Sequence, residues 1–369
     1  MTKKMSYLVV GAGHGGKAMA AHMALMGQKV TLYNRTWDHI SIIHKRGGVD
    51  LESYPGGPTG FGRIGKVTSN LKECVPDADV IMIVVPSSAH AEIAKNMAPY
   101  LKDGQIIILH PGRTCGAIEF DYVLRTNDCK AKVILAEAET FIYASRSDGP
   151  AQARIFRIKE AVPLAALPAI HNQQVLDSIS DVYPQFIDGI NVLHTGMNNM
   201  GAIFHPALTI LNAGRIESTH GEFQFYIDGV TPSVAKVLEA LDRERVTVGS
   251  SLGIRARTAM EWLSLAYNVT GADLNDAIHN QSGYYGITAP STLQHRYIFE
   301  DVPMSMVPMA SLGQRFGVSV RGMDSIIRLA CIIHQTDYYR RGRTVDRLGI
   351  DKLSVGELVK YVDEGVRDD

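Results

Sequence analysis

Short, nearly continuous apolar runs recur along the first half of the chain, at residues 7–10, 29–33, 80–85, 105–109 and 132–136. A strand with one wet face alternates apolar and polar positions, so runs without alternation predict strands covered on both faces, as in a parallel sheet. Residues 17–26 are rich in Ala, Met and Leu and run into Gly27, which predicts a helix with a glycine cap. Residues 89–101 read as a second helix interrupted at Pro99, with an Asp103-Gly104 turn before the next strand. This rhythm predicts right-handed crossovers and a doubly wound α/β sheet.

Residues 52–65 are dense in Gly and Pro and read as a surface excursion, and 153–169 as short strands closing the sheet. After about Ile187 the pattern becomes helical, at 207–213, 231–251, 255–267, 323–339 and 355–362. Within 231–251 and just beyond, Val234, Val237, Leu238, Leu241, Val248 and Leu252 recur at roughly helical spacing and define an apolar face. The expected organisation is a dinucleotide-binding domain over 1–187 and a mainly α-helical substrate and catalytic domain over 188–369.

Composition narrows the class. The 369 residues are 46% apolar and 20% charged, as in soluble globular proteins. A net charge of −1 offers no broad basic field to nucleic acid or to an anionic membrane. The apolar runs are too short to span a bilayer, and the stretch after Lys3 and Lys4 breaks at Gly11, too early for a signal peptide. Cys74, Cys115, Cys129 and Cys331 are widely spaced, so reduced thiols in a cytoplasmic protein are expected, with no metal site.

Gly11-Ala12-Gly13-His14-Gly15-Gly16 has the GxGxxG spacing between a buried strand and a helix, the context that makes it a Rossmann fingerprint. Gly11 permits the tight turn, Gly13 lets backbone approach a diphosphate, and Gly16 lets helix and strand pack closely. His14 is either a phosphate neighbour or an exposed neutral histidine. The second predicted strand ends at Tyr33-Asn34-Arg35-Thr36, where NAD sites usually carry an acid for the ribose 2′-hydroxyl. None is present. Asn34, Arg35 and Thr36 instead suit a 2′-phosphate, with Arg35 supplying charge-assisted bonds, so NADP is expected ahead of NAD. Pro86 and Ser87 follow the strand at 80–85 and are further cofactor candidates; Ser87 and Ser88 equally suit a helix cap.

In the second half, His205 precedes Pro206 inside an apolar helical pattern. Pro206 cannot donate to the Ala202 carbonyl, which predicts a kink or restart there. A titratable imidazole at such a place suits acid–base work near neutral pH; a core histidine bonded to a carbonyl is the plainer reading. In Arg296-Tyr297-Ile298-Phe299-Glu300-Asp301-Val302-Pro303, Arg296 and Glu300 have surface-pair spacing. Asp301 lies where Pro303 should end the helix, free to hold His205 in one tautomer, and Arg296 can receive a carboxylate.

These segments, with HPGRT at 110–114, AETFIYASR at 138–146 and LNAGRIE at 211–217, resemble the octopine/nopaline (opine) dehydrogenase family over nearly the whole chain. The fold relationship extends more loosely to glycerol-3-phosphate dehydrogenase, ketopantoate reductase and 6-phosphogluconate dehydrogenase. The resemblance implies NAD(P)H-dependent condensation of an amino acid with a 2-oxo acid through an imine. It makes His205 the catalytic histidine, Asp301 its carboxylate partner and Arg296 the substrate-carboxylate arginine. Thr140 and Tyr143, with Glu139, follow a strand of the sheet and are candidate substrate contacts. Tyr284-Tyr285-Gly286 lies near the amino-acid pocket or, more simply, is packing. Alternatives are an NADP-dependent reductase of 2-oxo or 2-hydroxy acids and a non-enzymatic dinucleotide sensor. The expected partners are small molecules, with a homodimer through the helical domain.

Overall fold

The computed structural model describes residues 5–53 and 56–367, which form two compact units, Met1–Thr195 with Lys360–Asp369, and Gly196–Val359.

The first unit contains strands β1 (Ser6–Val10), β2 (Lys29–Tyr33), β3 (Gly48–Ser53), β4 (Gly60–Arg63), β5 (Lys66–Thr68), β6 (Val80–Ile83), β7 (Ile106–Leu109), β8 (Ile134–Ala138), β9 (Tyr143–Gly149), β10 (Gln152–Ile158), β11 (Val162–Leu167) and β12 (Phe186–Asp188). The main sheet has the order β12-β11-β8-β7-β6-β1-β2-β5. Its pairs from β5 through β8 are all parallel, and β11 closes it antiparallel to β8. Every residue of β6 and β7 is buried, the continuous burial that the unalternating runs predict. The chain leaves β1 for β2 on one side and later returns to β6 on the other. The carboxyl end of β1 is therefore a topological switch point, where ligands bind in such sheets.

Helix α1 (His14–Leu25) is buried at each position from Gly16 to Met23. It contacts β2 of the main sheet on one side and a second sheet, β4-β3-β10-β9, on another. A helix covered all round has no polar face, which explains its mostly small and apolar residues; the two buried exceptions, Lys17 and His22, are hydrogen-bonded to the Gly149 carbonyl and the Tyr143 hydroxyl. A Cβ on Gly62 of β4 would lie 2.6 Å from the Ala21 Cα, so the strand can press against the helix only as glycine.

The second sheet corrects the reading of 52–65 as a surface excursion, because β3 and β4 frame that segment as an antiparallel pair. Tyr54 and Pro55 lie outside the described residues. The strands expected in 153–169 divide between the sheets: β10 joins β3 in parallel, while β11 extends the main sheet. The unit is completed by α2 (Ser41–Arg46), α3 (His90–Met97), α4 (Gly116–Thr126) and α5 (Asn172–Ile179), and α6 (Val192–Met197) leads out of it. The end of the chain also belongs to it, although the sequence reading assigned it to the helical domain. Tyr361 donates to Asp121 at 2.6 Å, and the Asn191 amide donates to Asp363 at 2.7 Å.

The second unit is helical: α7 (Gly201–Leu211), α8 (Ala213–Thr219), α9 (Pro232–Ser251), α10 (Ala259–Tyr267), α11 (Leu274–Asn280), α12 (Arg296–Phe299), α13 (Val307–Arg315), α14 (Arg321–His334) and α15 (Tyr338–Arg341). Helix α7 runs through Pro206, so of the two expected outcomes, a kink or a restart, the restart does not occur. Thr231 caps α9, and Leu238, Leu241 and Val248 lie buried on its apolar stripe. Arg245, fully buried on α9, is neutralised by Asp242 at 2.6 Å and donates to the carbonyls of Met197 and Arg257. Glu244 accepts from the backbone N–H groups of Gly322 and Met323, at 2.7 and 2.9 Å, and so caps α14 from a distance.

Candidate active site

The glycine turn has the shape a dinucleotide diphosphate requires. Gly11 has φ +111°, and a Cβ there would sit 2.3 Å from the Val84 carbonyl oxygen. A Cβ on Gly16 would lie 1.8 Å from the Gly11 oxygen. Around Gly13 nothing lies within 4 Å of a built Cβ, so the turn is open on that side alone among the three. Gly13 is also the N-cap of α1, which has no side-chain cap and no acid in its first turn. The first N–H groups and the helix dipole thus point to a site suited to an anion. These residues fit a dinucleotide.

Three of the expected cofactor residues, Asn34, Arg35 and Thr36, stand directly after β2. Asn34 accepts from the Ala12 N–H at 3.1 Å and donates to the Thr36 carbonyl at 2.9 Å. Its side chain holds the glycine loop to the end of β2. Arg35 is 71% exposed and pairs with Glu92 of α3, both carboxylate oxygens lying 3.0 Å from Nη1. Thr36 and Pro86 are exposed, and Ser87 is buried. His14 is exposed, and its Nδ1 accepts from the Ser147 N–H at 2.8 Å, which leaves the neutral ring's proton on Nε2.

Thr140 is half-buried and accepts from Lys159 Nζ at 2.7 Å. Burial, reinforced by the charges of Arg113 and Arg157 and opposed by Glu139, brings the Lys159 ammonium down to about 8. Tyr143 is a correction. His22 Nδ1 donates to its hydroxyl at 2.7 Å, and that hydroxyl donates to Tyr183 at 2.9 Å. Only 5% exposed among these groups, Tyr143 is a core residue and not a substrate contact. Burial pushes its hydroxyl well above the usual range, because a phenolate would be desolvated there.

In the helical unit, His205 on α7 meets Asp301 through an Nδ1–Oδ2 bond of 2.9 Å. Asp301 is fully buried, whereas the His205 side chain keeps 21% exposure. Asp301 immediately precedes a π-helical turn, Val302–Met306. Such turns widen the helix and re-aim side chains, often at functional sites. The sequence reading brought this pair together correctly.

Tyr297 was quoted in the motif but given no role. Its ring stacks on the His205 imidazole with centroids 4.1 Å apart and planes at 19°, and Phe225 stacks in turn on Tyr297 at 5.3 Å. A signal existed: Tyr297 and Asp301 are i, i+4 and therefore share a helix face. His295 touches the Tyr297 ring edge-on at 4.4 Å. Its imidazole is lowered by burial first, then by Arg296 and His205, with Asp301 opposing. Arg296 Nη2 lies 3.0 Å from Glu300 Oε2, the arginine half exposed and the glutamate buried. Tyr284 stacks on Tyr226 at 4.2 Å and 15°, the packing alternative, while Tyr285 is exposed. Among the described residues no His, Cys, Asp and Glu cluster is suited to a metal ion.

Known proteins share this fold. The model of the family described as "NAD/NADP octopine/nopaline dehydrogenase, alpha-helical domain" matches residues 189–334. That of "NAD-dependent glycerol-3-phosphate dehydrogenase N-terminus" matches residues 7–112. The chain is 37% identical to an opine dehydrogenase of Arthrobacter sp. strain 1C over 363 residues, 98% of this chain and 100% of that one. It is 24% identical to a vitopine synthase of Allorhizobium ampelinum, over 77% and 78% of the two chains. Among solved structures, octopine dehydrogenase with NADH and L-arginine has a TM-score of 0.83 at 19% identity, covering 99% of each chain. Yersinopine dehydrogenase with NADP+ bound has 0.77 at 14%, again covering 99% of each.

Proposed function

The chain belongs to the opine dehydrogenase family, and we propose that His205, Asp301 and Arg296 carry its reaction, with NADP as the preferred cofactor. It is an NAD(P)-dependent oxidoreductase that condenses an amino acid with a 2-oxo acid through an imine and reduces that imine to a secondary amine. The observation that carries the residue assignment is the 2.9 Å bond from His205 to the buried Asp301 carboxylate.

That bond sets the tautomer. Asp301 accepts the Nδ1–H, so Nε2 is the nitrogen that exchanges protons with substrate. As the amine adds to the carbonyl, the protonated ring donates from Nε2 to the oxygen that leaves as water, forming the imine. When bound, the nicotinamide supplies the hydride to the imine carbon. In the oxidative direction the neutral ring takes a proton from the secondary amine at the same nitrogen. Buried Asp301 stabilises the imidazolium throughout and keeps the ring from rotating. Arg296 offers a planar fork to a substrate carboxylate, and Glu300 holds the guanidinium in place before the substrate arrives.

Residues Gly11, Gly13 and Gly16 cradle the diphosphate at the start of α1. The NADP preference is supported by the missing acid at the end of β2 and by the exposed guanidinium of Arg35. We place the protein in the cytoplasm on the ground of its four free cysteines. Among the described residues, no helix is long and apolar enough to cross a membrane.

The deciding experiment is a matrix of amino acids against 2-oxo acids, followed by the absorbance of NADPH and repeated with NADH. Consumption that requires both substrates is expected. Consumption with a 2-oxo acid alone would turn the assignment toward a simple 2-oxo acid reductase.

A further inference from the structure

We infer that Glu92 is the residue that tempers the preference of this site for NADP, by holding Arg35 in an ion pair that a 2′-phosphate must open. The inference rests on the proposed cofactor preference and deepens it. Asn34-Arg35-Thr36, the residues directly after β2, carry no acid, yet an acid reaches the same place from another element. Glu92 stands in the first turn of α3, which follows β6, the parallel neighbour of β1. Its two oxygens both lie 3.0 Å from Arg35 Nη1. Tyr33, the last residue of β2, feels both charges, Arg35 lowering its hydroxyl and Glu92 raising it, against a larger upward push from burial. The pair therefore sits over the end of β2, where the adenosine ribose lies in doubly wound dinucleotide sites.

The side chains are 71% and 52% exposed, so water screens their attraction and the pair is weak. A phosphate monoester carries nearly two charges and three acceptor oxygens, enough to draw the guanidinium away from one carboxylate. Once displaced, Glu92 remains near a group of its own sign. Both effects penalise a 2′-phosphate, and neither acts on a 2′-hydroxyl. Glu92 thus keeps NADP and NAD closer in affinity than Arg35 alone would.

Calorimetric titration of the full chain with adenosine 2′,5′-bisphosphate and with 5′-AMP tests this without turnover. Glu92→Gln is expected to tighten the bisphosphate about three- to tenfold and leave AMP nearly unchanged, the gain shrinking at high salt. Arg35→Gln is expected to bring the bisphosphate down to the affinity of AMP. If Arg35→Gln acts so while Glu92→Gln leaves the ratio untouched, or tightens both ligands equally, the role of Glu92 is overturned and the NADP preference stands. If wild type does not distinguish the two ligands and Arg35→Gln changes nothing, both fall together. Both side chains are exposed, so neither substitution endangers the fold. The ratio of kcat/KM for NADPH over NADH should rise in Glu92→Gln in parallel with the binding ratio.

Discussion

The imidazole of His205 lies flat on the ring of Tyr297, 4.1 Å between centroids, while its edge is bonded to Asp301. One contact sets the plane of the ring and the other its rotation within that plane. Together they leave Nε2 a single direction. Tyr297→Leu removes the platform and should lower kcat about three- to tenfold, in keeping with the worth of an aromatic stack, with little change in cofactor affinity. Tyr297→Phe keeps the ring and should restore most of the loss. Equal losses in both variants would place the effect in the hydroxyl instead.

His205→Asn should lower turnover by roughly two to four orders of magnitude, the scale of a lost acid–base group. The nucleotide-binding residues lie in the other unit, so NADPH affinity, read by fluorescence titration, should stay near wild type. Normal turnover in this variant would make His205 structural.

Gly13 and Gly16 should fail in different ways. A methyl on Gly13 meets no protein atom within 4 Å, so Gly13→Ala should fold normally and raise the KM for cofactor. A methyl on Gly16 meets the Gly11 oxygen at 1.8 Å, and Gly16→Ala should lose about 1–3 kcal/mol or more of stability. Thermal unfolding beside cofactor titration separates the two.

Stability should fall in mild acid through His22. Burial brings its imidazole from 6.5 to about 4, so the ring is neutral in the fold. As pH drops from 6.5 toward 4, the unfolded chain takes up a proton that the folded chain refuses. The stabilising contribution is thus complete above 6.5 and lost on the way down, worth roughly 3 kcal/mol in all. His110, fully buried and brought down to about 3, adds a slope of the same sign. Denaturant unfolding of His22→Gln across this range should show a shallower loss than wild type.

Much of the architecture was legible because its signals are local. Unalternating apolar runs marked β1, β2, β6, β7 and β8, and the glycine spacing marked the turn into α1. His205 and Asp301 stood out through the prolines beside them and the family resemblance. The second sheet left no such signal. Residues Gly48–Ser53 pair with strand Gln152–Ile158, and a partner some hundred positions away leaves no periodicity in a segment full of Gly and Pro. Tyr143 was misread for a related reason: a tyrosine beyond a sheet strand looks available until His22 and Tyr183 are seen to take its hydroxyl.

The amino-acid order alone determined the strand and helix rhythm of the nucleotide unit, the three glycines of its turn and the helical character of the rest. Backbone conformation and burial periodicity are set within a few residues, and this information stays in the local sequence. Tertiary structure alone decided where long-range partners go: Asn34 to the glycine loop, Arg35 to Glu92, and Tyr297 beneath the His205 ring. A side chain's role depends on which groups the fold brings within about 3–4 Å, and that distance is set by packing between elements far apart in the chain.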